Sequence, residues 1–245
     1  MPREDLMKVE IPLGLYGKLP SYGDFIHRNL PTKFLTTWDE WLQLFVASSK
    51  EQIGEHWLDI YLTSPIWRFV LSSGVIDENN WAGIVLPSVD QVGRYYPFTL
   101  VVPLPNNVNP LEFMSTNSRW FAHLEELALQ ALDGQFTLEE LLEQANHQDL
   151  MVPMAYKKTG QQLTTSSQHI DLSFAEELPM TVYAHLLDSV LTSSLNSYSV
   201  WSTSGSENIS PCLFNVQGLP PASQLPAMMD GNWAHWGWPK TYIAN

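Results

Sequence analysis

The residues best suited to chemistry in this sequence lie in two glycine- and proline-rich stretches, 14–31 (GLYGKLPSYGDFIHRNLP) and 87–97 (PSVDQVGRYYP). The first carries Asp24 and Arg28, the second Ser88, Asp90 and Arg94, and in each the carboxylate precedes the guanidinium by four residues. Opposite charges at that spacing either close locally or exchange partners across the two loops, in charge-assisted hydrogen bonds of about 3 Å. Two roles are open to them. Buried pairs would fix the shape of the loops, because a charge left unpaired beside aromatic bulk is costly. Exposed pairs would form a binding surface. The matching spacings predict one charged cluster of Asp24, Arg28, Asp90 and Arg94 between the loops, with Ser88 as a neighbouring member, and the glycines serve turns of positive φ.

Several other chemistries lack their residues. A phosphate-binding loop needs a glycine-rich turn closed by Gly-Lys-Ser/Thr, whereas Gly17-Lys18 runs into Leu19-Pro20, where proline removes a backbone donor. Gly14 and Gly17 do not make the dinucleotide fingerprint. The histidines (27, 56, 123, 147, 169, 185 and 235) form no i, i+4 pair and have no cysteine partner, so each reads as a surface or core residue rather than a zinc ligand. No Gly-x-Ser-x-Gly frame surrounds a serine, and Cys212, beside Pro211 in an apolar run, reads as a small buried hydrophobe. The sequence therefore predicts no catalytic, cofactor-binding or metal-ligating residues.

Charge restricts the partners. The formal net charge is −14, and after residue 99 the chain holds 4 Lys/Arg against 14 Asp/Glu. That field repels polyanions, so neither nucleic acid nor an anionic membrane is an expected partner; a basic protein surface suits it better. A single cysteine leaves no internal disulfide, which fits a reducing compartment. No run reaches the roughly 18–20 apolar residues that a membrane span needs, and the first residues lack the apolar core of a secretion signal. The expected location is the cytoplasm.

Periodicity outlines the elements that must position the loops. Residues 33–49 place Phe34, Leu35, Trp38, Trp41, Leu42, Phe45 and Val46 on one helical face, with Thr32 as N-cap, and 51–61 repeats the pattern more weakly. Residues 66–73 and 81–86 read as a hairpin, and 98–104 (FTLVVPL) as a strand covered on both faces. Helices are predicted over 115–133, from a Thr137-Glu140 capping box to about residue 145, and over 182–195. Strands follow at 198–203 and 212–216, with a short helix at 222–229. The polar segment 150–179 has 160–168 as its expected loop. The ten tryptophans are expected mainly in a core. Together these elements predict a single α/β domain over residues 1–245, with helices on both faces of a mixed sheet: a motif-rich part at 11–104, an acidic helical segment at 110–147 and a C-terminal part at 181–245.

Several multi-residue motifs occur in order: Tyr16-Gly-Lys-Leu-Pro-Ser-Tyr-Gly-Asp-Phe25, Trp38-Asp-Glu-Trp-Leu42, Trp67-Arg-Phe69, Trp81-Ala-Gly83, and Pro87-Ser-Val-Asp90 with Val92-Gly-Arg94. Tyr198-Ser-Val-Trp201 and Gly218-Leu-Pro220 follow. In these the chain resembles the TagF family, also called ImpM, of bacterial type VI secretion. The resemblance implies a three-layer α/β/α sandwich and a cytoplasmic, non-enzymatic protein that represses secretion post-translationally by binding the forkhead-associated scaffold protein of the apparatus. It supplies no catalytic residues. A structural or assembly component of the secretion apparatus is the alternative.

Overall fold

The computed structural model describes residues 7–8, 12–146, 151–152, 169–172, 179–239 and 242. A two-residue strand β1 (Met7–Lys8) is followed by β2 (Gly14–Gly17) and β3 (Ile26–Arg28), then the long helix α1 (Thr32–Ile53) and the short α2 (Trp57–Leu62). Next come three strands, β4 (Trp67–Leu71), β5 (Asn80–Leu86) and β6 (Phe98–Leu104). Helices α3 (Pro110–Thr116), α4 (Ser118–Leu132) and α5 (Leu138–Asn146) precede the two-residue β7 (Met151–Val152). The chain closes with α6 (Thr181–Leu195), β8 (Tyr198–Thr203), β9 (Cys212–Gln217) and α7 (Ala227–Asp230). β1 pairs with β7, and the other seven strands form one sheet in the order β3-β2-β6-β5-β4-β8-β9.

The sheet is antiparallel at every pairing, not mixed. Helix-bearing connections suggested parallel neighbours, but the one from β6 through α3–α6 delivers β8 to the far side of β4, antiparallel to it. Of the other neighbours, β2-β3, β4-β5, β5-β6 and β8-β9 are sequential hairpins, which can only be antiparallel, and β2-β6, separated in sequence by β3 to β5, is antiparallel as well.

Strand alternation splits the core into two clusters. Trp67, Phe69 and Leu71 of β4 face α1 and α2 in one, with Phe34, Trp38, Trp41, Trp57 and Trp201; Val70 faces the other, with Ile84, Trp120, Phe121 and Leu124. Trp38, Trp41, Trp57, Trp67, Trp81, Trp120 and Trp201 are buried. A buried indole favours a partner for its N–H: Trp38 donates to Thr99 Oγ1 at 2.9 Å, Trp41 to the Pro220 carbonyl at 3.0 Å and Trp67 to the Met228 carbonyl at 2.9 Å. On the same face as Val70, Arg68 makes a two-pronged contact with Glu125 of α4 at 2.6 and 2.9 Å.

Element boundaries differ from the sequence reading where capping chemistry decides. Pro31, not Thr32, is the cap of α1, and the helix absorbs the start of the second predicted one before Gly54, at φ 72°, ends it. The predicted helix 115–133 is two helices: Asn109 caps α3 by accepting from the Leu111 and Glu112 amides, and the chain breaks at Asn117. The Thr137–Glu140 capping box forms, with the Glu140 carboxylate accepting from the Thr137 amide and hydroxyl at 2.9 Å each. Residues 222–229 are a 3-10 turn and α7. Cys212 is half-buried, and burial pushes its thiol up to about 11. The loop expected at 160–168 lies outside the described residues. Among the described residues no helix is long and apolar enough to cross a membrane.

Candidate functional site

The stretch 14–31 is not wholly a loop. It folds into the β2–β3 hairpin, with residues 18–25 as its connection, because Gly17 allows β2 to press against β6. Gly17 has φ +130°, and a side chain there would collide with the Pro97 carbonyl and Phe98. The connection between β5 and β6 (87–97) lies alongside it. Its shape is set by the Val89–Tyr95 bridge, a bond from the Asp90 amide to the Arg94 carbonyl at 3.1 Å, and Gly93 at φ +85°.

Asp90 joins the two loops. Its Oδ2 accepts from Lys18 Nζ at 2.8 Å and Arg94 Nε at 2.6 Å, and its Oδ1 from the Val92 and Arg94 amides at 3.1 and 2.8 Å. Arg94 reaches on to the Gly23 carbonyl at 2.6 Å. Burial acts to raise the Asp90 carboxyl, but the bonds from Lys18 and from the Arg94 amide and guanidinium outweigh it, holding the group well below the usual carboxylate range. A carboxylate with four donors on its two oxygens and a depressed pKa is a poor general base. Its chemistry is to brace.

A second set of bonds fastens the loops to α2. Ser88 Oγ donates to the Lys18 carbonyl at 2.6 Å, while Tyr61 of α2 both donates to the Ser88 carbonyl and accepts from its amide, at 2.9 Å each. Burial raises the Tyr61 hydroxyl, so it stays a neutral donor. α1 contributes Asp39, whose Oδ1 accepts from the hydroxyls of Tyr16 and Tyr96 at 2.5 and 2.6 Å. Burial, reinforced by the Asp39 carboxylate, raises both tyrosines. Phe25 lies over this group, 4.8 Å from the Tyr96 ring centroid, with Lys18 Nζ 4.8 Å from its own.

Of the residues predicted to cluster, the structure brings together Asp90, Arg94 and Ser88. The described contacts of Asp24 and Arg28 lie elsewhere. Asp24 Oδ1 accepts from the Phe25 amide at 2.8 Å, and Arg28 contacts the His27 carbonyl at 2.8 Å and Glu139 of α5 at 3.8 Å. The i, i+4 spacing of Asp24 and Arg28 spans the turn into β3, whose extended rise carries the two apart. Lys18, Asp39, Tyr16, Tyr61 and Tyr96 were missed. Lys18 and Asp90 are separated by 72 positions, and no local pattern marks a partner at that range.

The rim of this two-loop platform is exposed and chemically mixed: Val92 at 69%, Phe25 at 44% and the Arg94 side chain at 57%. It sets apolar surface beside one exposed guanidinium on a chain that is otherwise strongly acidic.

Comparison with known proteins places these motifs. PA0076 from Pseudomonas aeruginosa PAO1, known from a crystal structure, is 31% identical and has a TM-score of 0.76, over 95% of this chain and 99% of that one. No curated protein matches. The family described as TagF N-terminal domain, Type VI secretion system-associated, matches residues 14–147, from β2 through α5 and so including both loops. By that match over more than half its length the chain belongs to the TagF N-terminal domain family and is a type VI secretion system-associated protein.

Proposed function

We propose that this protein represses type VI secretion post-translationally by binding, without catalysis, the forkhead-associated scaffold protein of the apparatus, in the cytoplasm. The observation that carries the reading is the braced platform: Lys18, Asp90 and Arg94 consume one another's charges, while Val92, Phe25 and the outer part of the Arg94 side chain stand at the rim. A surface held rigid before binding loses little conformational entropy on association, which favours a protein that acts by binding alone. The same reading takes the architecture as a three-layer α/β/α sandwich: α1 and α2, the sheet, and the helices packed in the opposite cluster.

The experiment is complementation of a strain lacking this protein, with secreted apparatus components measured in the medium. Wild type should lower secretion. Val92→Glu changes a side chain that is 69% exposed and so leaves the fold intact; it should fail to lower secretion at equal protein level. Unchanged secretion on deletion and complementation would refute the repressor reading.

A further inference from the structure

The two edges of the sheet are unlike. β3 is three residues long, carries His27 and Arg28, and ends at Asn29 with φ 55°; short, charged, kinked edges discourage strand addition. β9 is six residues long, CLFNVQ, with neither charge nor proline. In its ladder with β8, the Gly218 amide donates to the Ser197 carbonyl, so alternation turns the backbone groups of Leu213, Asn215 and Gln217 away from β8. Among the described residues these outward groups meet no further strand.

The surroundings of that edge are electrically silent. Between Asp188 and Asp230 the sequence holds a single charged residue, Glu207, in a chain of net charge −14. Leu213 is 64% exposed. α6 flanks the same edge: α3 lies against β4 and β8, α6 lies against α3 and β8, and Gln217 Nε2 donates to the Leu195 carbonyl at the end of α6 at 3.1 Å. The helix buries only Val182 fully and leaves Tyr183, Leu187 and Val190 exposed at i, i+4 and i+7, one apolar stripe. Its polar groups are already engaged, Asp188 with the Tyr198 hydroxyl at 2.6 Å and His185 with Glu112 at 2.9 Å.

We infer that this edge is a self-association surface: two copies of the chain pair β9 with β9 antiparallel about a twofold axis at Asn215, and their α6 helices pack beside the new ladder. The charge pattern selects a second copy as the occupant. A twofold axis sets Asn215 opposite Asn215 and Leu213 opposite Gln217 of the other copy, so any charge on those positions would meet its like or lie unpaired, and there is none. The neutral stretch is also where two acidic molecules can approach with least repulsion. Strand pairing alone covers less than the roughly 1,200 Å² of a stable interface, and the α6 stripe supplies further apolar area.

The test is sedimentation velocity on the full chain, alone in solution, at concentrations up to about 100 µM, a range that detects dissociation constants of micromolar order. It is independent of the repressor reading, since no secretion component is present. The expected result is a concentration-dependent dimer. Asn215→Lys, on an exposed position and verified as folded by circular dichroism, should weaken it at least about fivefold through like charges set opposite each other, and Asn215→Asp should do the same. An equimolar mixture of the two variants should restore a heterodimer. If Asn215→Lys proves unfolded, the Asn215→Asp variant and its salt dependence carry the test. A wild-type monomer throughout the range, including one that captures a strand from another protein, would overturn the inference. So would a dimer indifferent to charge at position 215.

Discussion

Lys18 Nζ and Asp90 Oδ2 are 2.8 Å apart, with side-chain exposures of 6% and 0%, although 72 positions separate them in the chain. The pair ties the β2–β3 connection to the β5–β6 connection from inside. Arg94 completes it from the solvent side. Removing one partner of such a pair costs more than the pair is worth, because the remaining charge keeps its desolvation penalty. Lys18→Met should therefore lower unfolding free energy by about 2 kcal/mol in denaturant titration, less than for an isolated pair because Arg94 remains. Lys18→Met placed on an Asp90→Asn background should cost clearly less than it does alone.

Asp90 gives the protein a defined acid sensitivity. Its folded pKa lies below the ordinary 3.8, so its stabilisation is present above that value and is lost as pH falls from there toward the depressed folded value. Urea midpoints measured from about pH 6 down to pH 2 should fall for wild type below about pH 4, and fall less steeply for Asp90→Asn. Equal slopes would show that other carboxylates carry the acid response.

At Gly17 both backbone and space forbid a side chain. The positive φ and the collision with the Pro97 carbonyl predict that Gly17→Ala loses about 3 kcal/mol or more. Gly54 has open space around it but sits at φ 72° and ψ −135°, a backbone region that favours glycine alone, so the same change there should lose about 2 kcal/mol from conformation alone. Thermal melting of the two variants separates a packing cost from a conformational one.

The tyrosine pair on Asp39 predicts a smaller effect. Tyr96→Phe deletes one of two hydroxyl donors to Oδ1 and should cost about 1–2 kcal/mol in denaturant titration. Tyr16 remains as a donor, so the site should keep its shape.

Much of this architecture can be read from periodicity. The strands 98–104 and 198–203 have the predicted bounds, and the α1 face of Phe34, Trp38, Trp41, Leu42 and Phe45 is the buried one. Sheet direction could not be read, because strand order depends on where long helical connections land, as with β8 beside β4. The site was half legible for a similar reason. Asp90–Arg94 is a local i, i+4 pair and follows from spacing, while Lys18–Asp90 and Tyr61–Ser88 exist only once the fold brings distant segments together. Asp24 and Arg28 show the converse, a spacing that suggests pairing until one member enters an extended strand.

The central claim is that the rim of the two-loop platform holds the scaffold partner. Its most direct test is a calorimetric titration of the purified forkhead-associated scaffold protein with wild type and with Val92→Glu, a variant whose unfolding midpoint should match wild type. The account predicts stoichiometric binding by wild type and at least about a tenfold weaker dissociation constant for the variant, the scale of one central contact. Equal affinity of the two proteins, or no binding by wild type, would contradict it.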